Sequence, residues 1–384
     1  MTAESAAGKG APVMLRILHT ADVHLGAKFS GLGSKGDLQR EQLRTTFRKI
    51  IGTAIEKRVN IVLIAGDLFD SNQQPQRNID LVVEQFNLLN QNGIPVCLVP
   101  GTHDSLDSSS IYRKVDFADS CPNLHIFADQ NMSGREYPDL DLTVYGKPNL
   151  SNRSRVSPLL GLKPATSTRF HVAMAHGSLH IPEKVAEDDH VFRLEEVQSS
   201  GMHYLALGHW HRAYACSEQP AAWYSGPPEW IPDQRERGSV LLVTIGDSGE
   251  VKVEPRPVGL RDFDEVEIDV SGPADLSSLR AGIAAGAHQE LVRRAILRGL
   301  RDPDLIVNAE ELVAELGERF FHLTAVDRSH PKAAEISAGE GQLIRSKFIE
   351  LMQAQIENSE DEHRAVAESA LQYGLALLDG KEVL

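Results

Sequence analysis

The sequence predicts an α/β protein, two packed mixed sheets flanked by helices, followed by a small α/β cap and a helical tail. Three observations carry that expectation. Five short apolar runs rich in Val, Ile and Leu each close on Gly or a polar turn, as buried strands do. The first three alternate with stretches of helical periodicity, which implies parallel pairing. From Asp141 to Pro257 short strand candidates dominate, which implies a second sheet on the first with helices outside.

Taken in order, residues 1–12 are small and polar, lack the apolar region of a signal peptide, and read as a disordered tail. A strand begins at Leu15. After a Gly-rich loop, Asp37 can cap a helix reaching about Arg58, with Leu43, Phe47, Ile50, Ile51, Ala54 and Ile55 on its apolar stripe. Strand 61–64, helix 77–91 and strand 96–99 follow, with Asn92-Gly93 stopping the helix. Segments 142–145, 170–175, 204–207, 239–245 and 251–254 supply the later strands. From Gly259 a new unit reads strand 264–270, helix 274–285, strand 291–300, helix 308–319, strand 320–326. Beyond Glu340 two helices are expected. Ile344, Phe348, Leu351, Met352 and Ile356 form one stripe, and Ser359 with Glu362 makes a capping box before the second. The expected division is 1–12 tail, 13–259 catalytic domain, 260–332 cap, and 333–384 helical tail and partner-binding region.

A chain of 384 residues exceeds what one core normally holds, about 250 to 300 residues, so two domains are expected. Hydrophobic residues at 41% and charged residues at 24% suit a globular protein. No apolar run approaches the roughly 18 residues needed to cross a bilayer, so no membrane is expected. Cys97, Cys121 and Cys216 form no CxxC pair and fit buried thiols in a reducing cytoplasm. The net charge of −15 argues against a generic nucleic-acid coat. It is unevenly spread: residues 1–60 hold 10 basic against 5 acidic side chains, residues 333–384 hold 4 against 10. Two bound divalent ions would add about four positive charges in a crevice, so the total does not decide the substrate.

The ends of the five runs carry the chemistry. They place Asp22, His24, Asp67, His103, His176, His209 and His211 just past the strands, where open sheets hold their ligands. Alternation along an extended chain puts Asp22 with His24, and His209 with His211, on common faces, with Trp210 pointing away. Mixed carboxylate and imidazole donors suit two divalent transition ions such as manganese, iron or zinc. The two oxygens of Asp67 can bridge ions about 3.5 to 4 Å apart. Any one of these residues alone reads more simply as a satisfied polar group at a strand end. Five ordered ends together read as a dinuclear metal hydrolase.

The stretches Asp22-Val-His24, Gly66-Asp67-Leu68-Phe69-Asp70, Gly101-Thr102-His103-Asp104, His176-Gly177 and Gly208-His209-Trp210-His211 resemble the motifs of calcineurin-like metallophosphoesterases. The start His19-Thr20-Ala21-Asp22-Val23-His24-Leu25-Gly26 and the long motif at Asp67 are similar to DNA-repair nucleases of the SbcD type. The resemblance runs from about Met14 to Val258. It implies a four-layer sandwich, with one ion held by Asp22, His24, Asp67 and His211. The other would be held by Asp67, His176, His209 and the side chain at 102. His103 would stand near the leaving group, oriented by Asp104. Where the family usually has Asn this chain has Thr102, whose neutral hydroxyl is a poorer ligand than an amide carbonyl. The second site is expected to be weaker or completed by water, or else Thr102 contacts the substrate phosphate.

The implied function is a DNA repair exo- or endonuclease in which a metal-activated water attacks the phosphodiester and His103 is the acid, a role worth about 10²–10⁴-fold. The implied cofactors are two divalent ions, manganese first, and the implied partners are DNA, an SMC-like coiled-coil ATPase and a second copy of the chain. The alternatives are a phosphatase or phosphodiesterase of small molecules, or a catalytically weak end-binding scaffold. Arg40, Arg44 and Arg48 form a basic stripe, and Arg113, Lys114, Arg153 and Arg155 stand in loops. These can track a nucleic-acid backbone or be solvated surface charge. Asp70 reads as a turn or helix-cap residue.

Overall fold

The computed structural model describes residues 14–232, 234–271, 275–302, 305–332, 343–359 and 361–380. The expected tail at 1–12 lies outside them. The chain divides into two compact units, Met1–Arg261 and Asp262–Leu384, and the two C-terminal helices group with the second.

The first unit is built on two six-stranded mixed sheets. In one, Leu15–Thr20, Ile61–Ala65, Val96–Val99 and Leu124–Ile126 run parallel, and Ser239–Ile245 and Val251–Pro257 add antiparallel at one edge. In the other, Leu142–Gly146, Phe170–His176, Tyr204–Gly208 and Ala221–Tyr224 are parallel. Ser133–Tyr137 and Tyr214–Glu218 close its two edges antiparallel.

Alternation along the strands explains the layers. Ile17, Leu63, Cys97, Val99 and Val243 of one sheet meet Val144, Val172, Met174 and Ala206 of the other in a shared core. The alternate residues Leu18, Val62, Ile64 and Leu98 are buried too, so this sheet is covered on both faces. Helices Lys35–Glu56 and Gln76–Gln91 contribute the buried Leu43, Phe47, Ile50, Phe86 and Leu89, with Phe47 and Phe86 in edge contact at 6.1 Å. The first helix starts at Lys35, so Asp37 lies inside its first turn, bonded to Arg40 at 2.6 Å, and is not the cap. The far face of the second sheet buries Ala173, Ala175, Leu205 and Leu207 beneath Leu159, Phe192 and Val197.

The second unit holds three parallel strands, Asp262–Asp269, Leu291–Arg298 and His322–Asp327, with helices Leu276–Ala284 and Ala309–Leu316 on their core. Helices Leu343–Glu357 and Asp361–Leu378 form a hairpin around Ile349, Leu371 and Leu375. Tyr373 ties it to the strand region through a 2.7 Å bond to Ser271. Ser359 bonds back to the Gln355 carbonyl at 2.7 Å, while the Glu362 side chain of the expected capping box lies outside the described residues.

Candidate metal centre

The polar ends of the central strands converge, but not as extended chain. The first strand stops at Thr20, and Asp22, His24 and Asp67 all adopt left-handed backbone, φ 54°, 49° and 50°. Such conformations are costly for residues with a Cβ and concentrate at functional sites. Neighbouring loops impose them here. Asp22 N donates to Gly66 O at 3.1 Å, His24 N to Asp67 O at 3.0 Å and Leu25 N to Leu68 O at 3.0 Å. The expected side-by-side placement of Asp22 and His24 on one strand face is therefore corrected: two laced turns bring them together. His209, at φ 106°, likewise follows a strand that ends at Gly208.

Asp67 is the hub. Its Oδ1 accepts from His103 N at 2.8 Å, and its Oδ2 accepts from the Thr102 hydroxyl at 3.2 Å and faces His176 Nε2 at 3.2 Å. His24 Nε2 stands 3.9 Å away. Two glycines make room. A Cβ on Gly101 would overlap the Asp67 carboxylate, and one on Gly66 would overlap the His176 ring. The His176 Nδ1 faces the Ala65 carbonyl at 2.9 Å, which fixes its proton there and leaves Nε2 as the donor atom. Three triads result whose ligand atoms lie within 4.8 Å of one another: Asp22, His24 and His211; His24, Asp67 and His103; Asp22, Asp67 and His176.

Other expected residues fall differently. His209 belongs to none of these triads; its Nε2 meets Asp189 Oδ2 at 3.1 Å, while its backbone N–H donates to Asp22 at 3.0 and 3.1 Å. The Asp104 carboxylate engages groups other than the His103 ring. Buried, it accepts from Gly101 N at 2.7 Å, Phe69 N at 3.1 Å and the Tyr112 hydroxyl at 2.5 Å, pinning the two site loops together. Asp70 takes the place expected of Asp104: its carbonyl faces His103 Nδ1 at 3.1 Å, and its carboxylate lies 3.3 Å from His24 Nδ1. Asp70 and Asp189 are the functional candidates that sequence reasoning missed. Asp70 sits in the quoted motif and was readable as a neighbour of Asp67; Asp189 stands in a loop with no motif at all. Trp210 does point away, stacked on Tyr224 with centroids 4.7 Å apart.

The electrostatics favour a cation. Among the described residues, Asp22 and Asp67 have only histidines as ion-pair partners. Burial works against ionised Asp67, but the His176, His24 and His103 imidazoles hold its carboxyl well below the usual range. Burial also opposes protonation of His176, yet Asp67 and Asp22 raise it to about 9. His211, where burial dominates, is lowered. Neither ring nitrogen of the buried His24 makes a hydrogen bond of good geometry. With Nδ1 facing only the Asp70 carboxylate, His24 leaves Nε2 without a hydrogen-bond partner beside two buried carboxylates, which fits divalent ions for which these residues could supply the ligands.

The rim is a polar crevice of about 890 Å³ lined by His103, His209, Asp70, Asp189, Lys28 and Arg153. The basic stripe is tied up within the chain: Arg40 with Asp37, Arg44 with Glu41 at 2.5 Å, Arg48 with Glu41 at 3.7 Å. Arg153 pairs with Asp188 at 3.0 Å and Arg155 with Glu187 at 3.8 Å. All three cysteines are unpaired. No helix among the described residues is long and apolar enough to cross a membrane.

Residues 15–213 match the calcineurin-like phosphoesterase family. The chain is 28% identical over 245 residues to the uncharacterized metallophosphoesterase YhaO of Bacillus subtilis, covering 61% of this chain and 58% of that protein. It is 29% identical over 272 residues to the DNA double-strand break repair protein Mre11 of Aeropyrum pernix, covering 67% of this chain and 64% of that one. The matches thus span less than two thirds of these relatives' lengths. Among solved structures, TT1561 of Thermus thermophilus is similar at 13% identity and TM-score 0.38, over 63% of this chain and 99% of that one. With the matched region holding the central strands of both sheets and every triad, this chain belongs to the calcineurin-like phosphoesterases, a family of metal-dependent hydrolases with a dinuclear divalent site.

Proposed function

We propose that this protein is a metal-dependent phosphodiesterase that cleaves DNA, using two divalent ions, manganese first among them. The observation that carries the proposal is the hub at Asp67, with His176, Thr102, His24 and the His103 peptide gathered on its two oxygens. Asp22, His24, Asp67 and His211 would hold one ion; Asp67, His176, His209 and the weak ligand Thr102 would hold the other. When bound, the pair supplies Lewis acidity toward an anionic phosphoester and toward water. The chain's own residues do the rest. His103, half-exposed at the crevice, turns its Nδ1–H to the Asp70 carbonyl, so that in the imidazolium form its Nε2–H is free to give a proton to the leaving oxygen. Asp104 and Tyr112 hold the His103 loop without touching the reacting atoms.

DNA as substrate is supported by the similarity to Mre11 of Aeropyrum pernix, a double-strand break repair protein. An SMC-like ATPase partner in the cytoplasm and a second copy of the chain belong to the same proposal. The helical hairpin keeps Leu343, Ile344, Leu351 and Val366 exposed at 83%, 76%, 59% and 67%, which suits a partner helix. The pairing of Arg40, Arg44, Arg48, Arg153 and Arg155 within the chain favours a second reading, a phosphodiesterase of small molecules on the same centre.

Metal content followed by a manganese-dependent assay on end-labelled DNA tests the proposal. Two ions per chain and cleavage that His103→Ala abolishes, with both ions retained, are expected. Two ions with turnover of nucleotide esters and intact DNA select the second reading. Fewer than two ions overturn both.

A further inference from the structure

The dinuclear reading leaves one side chain oddly placed. His209 enters none of the triads, and its Nε2 meets Asp189 Oδ2 at 3.1 Å. Asp189 does not arrive there by chance of a loose loop. The same Oδ2 accepts from the Ser178 hydroxyl at 2.6 Å, and Ser178 Oγ accepts from the Trp210 indole N–H at 3.2 Å. The indole lies 8° from parallel to the Tyr224 ring. The Tyr224 hydroxyl in turn donates to Gly177 O and accepts from Leu179 N, both at 2.9 Å. The loop itself is stitched down by Ser154 N to Asp188 O at 2.7 Å and by the buried His190, whose N donates to Ser154 O at 3.0 Å. A fixed chain of donors therefore runs from the second sheet to the carboxylate, and from the carboxylate to His209.

An imidazole whose Nε2 proton is taken by a carboxylate carries its lone pair on Nδ1. His209 lies beside the centre by two measures: its ring is 5.1 Å from that of His176, and its peptide N–H bonds Asp22. We propose that Asp189 is a positioning residue for His209, holding the Nε2–H tautomer and presenting Nδ1 to the second divalent ion, with Ser178 and Trp210 holding Asp189. The inference rests on the dinuclear reading above. It gains weight from Thr102, because a site with a hydroxyl where an amide is usual depends more on its remaining imidazoles. It also explains why Trp210, between two proposed ligands, is an indole: its N–H terminates the chain. The plain alternative is that the Asp189 carboxylate merely fastens a half-buried loop.

The two differ in what they do to metal. The full chain, as wild type, Asp189→Asn, Asp189→Glu, Ser178→Ala and Glu187→Gln, would be titrated with manganese alone by calorimetry, with EPR spectra at each addition. Expected are two ions with an exchange-coupled spectrum for the wild type and for Glu187→Gln, a carboxylate change in the same loop. Asp189→Asn is expected to keep one ion, weaken the second about 10- to 100-fold, and give an uncoupled six-line spectrum. Ser178→Ala should shift the second affinity the same way by less, and Asp189→Glu should restore part of it. Two ions of unchanged affinity and coupling in both Asp189→Asn and Ser178→Ala, whatever happens to the melting temperature, overturn the inference alone. Fewer than two ions in the wild type overturn the dinuclear reading and this inference with it.

Discussion

At the scale of residues, Asp67 and His176 are matched opposites: a carboxylate held ionised and an imidazole held protonated, 3.2 Å apart and fully buried. In the metal-free protein the His176 proton stands where a cation would. Its folded pKa, about 9, lies above the ordinary 6.5, so the stability it contributes is full below pH 6.5 and is lost as pH rises through about 9. The span amounts to about 3 kcal/mol. The same proton must leave when a cation enters, so manganese affinity should climb between pH 6.5 and 9, with proton release that depends on buffer ionisation enthalpy in calorimetry. Affinity flat across that window would show that His176 is neutral in the metal-free state. Thr102 gives a second prediction. Its hydroxyl already reaches Asp67 at 3.2 Å and sits 3.4 Å from His176 Nε2, so the position faces the centre. Thr102→Asn should tighten the second ion by about tenfold, since a bound amide oxygen is worth on the order of 1 kcal/mol more than a hydroxyl. Unchanged or weaker second-site binding would mean that water already completes the site.

At the scale of elements, the strands and the two large helices were legible because period and burial agree: all five residues of Ile61–Ala65 are buried, and the Phe47 and Phe86 stripes meet. The seven candidate donors stand out in the sequence because each closes such a run, and six of them enter the triads. What failed was the inference of direction. Alternation holds only while the chain is extended, and Asp22, His24 and Asp67 lie in left-handed turns. Nothing local demands that conformation of Asp or His, which merely tolerate it; hydrogen bonds from Asp22 N and His24 N to the neighbouring loop impose it. Asp189 was illegible for a related reason, since a loop-to-loop contact leaves no periodic trace. Gly66 and Gly101 were the readable half of this geometry. Gly101→Ala should push the Asp67 carboxylate off its place, costing about 1–3 kcal/mol by overpacking and lowering metal occupancy. A variant with wild-type melting temperature and two ions would show that the loop yields.

At the scale of the molecule, every proposed ligand lies between Asp22 and His211, inside the unit Met1–Arg261, and none lies in Asp262–Leu384. The proposed ligands follow strands of both sheets, so ions held by Asp22, Asp67 and His176 would cross-link the two sheets at the carboxyl ends of their central strands. Unfolding either sheet must release them. Saturating manganese at about 100 times its dissociation constant should therefore stabilise that unit by roughly 2.7 kcal/mol per site. Hydrogen exchange resolves where the gain falls. Amides of Leu15–Thr20, Ile61–Ala65, Phe170–His176 and Tyr204–Gly208 should slow when manganese is added, while those of Leu291–Arg298 and His322–Asp327, in a three-stranded sheet of their own, should not. Asp67→Asn, which removes the charge at the hub, should erase the difference between the two conditions in the first set. Protection spread evenly over both units would mean that cations act on the molecule as a whole and not through the strand ends that meet at Asp67.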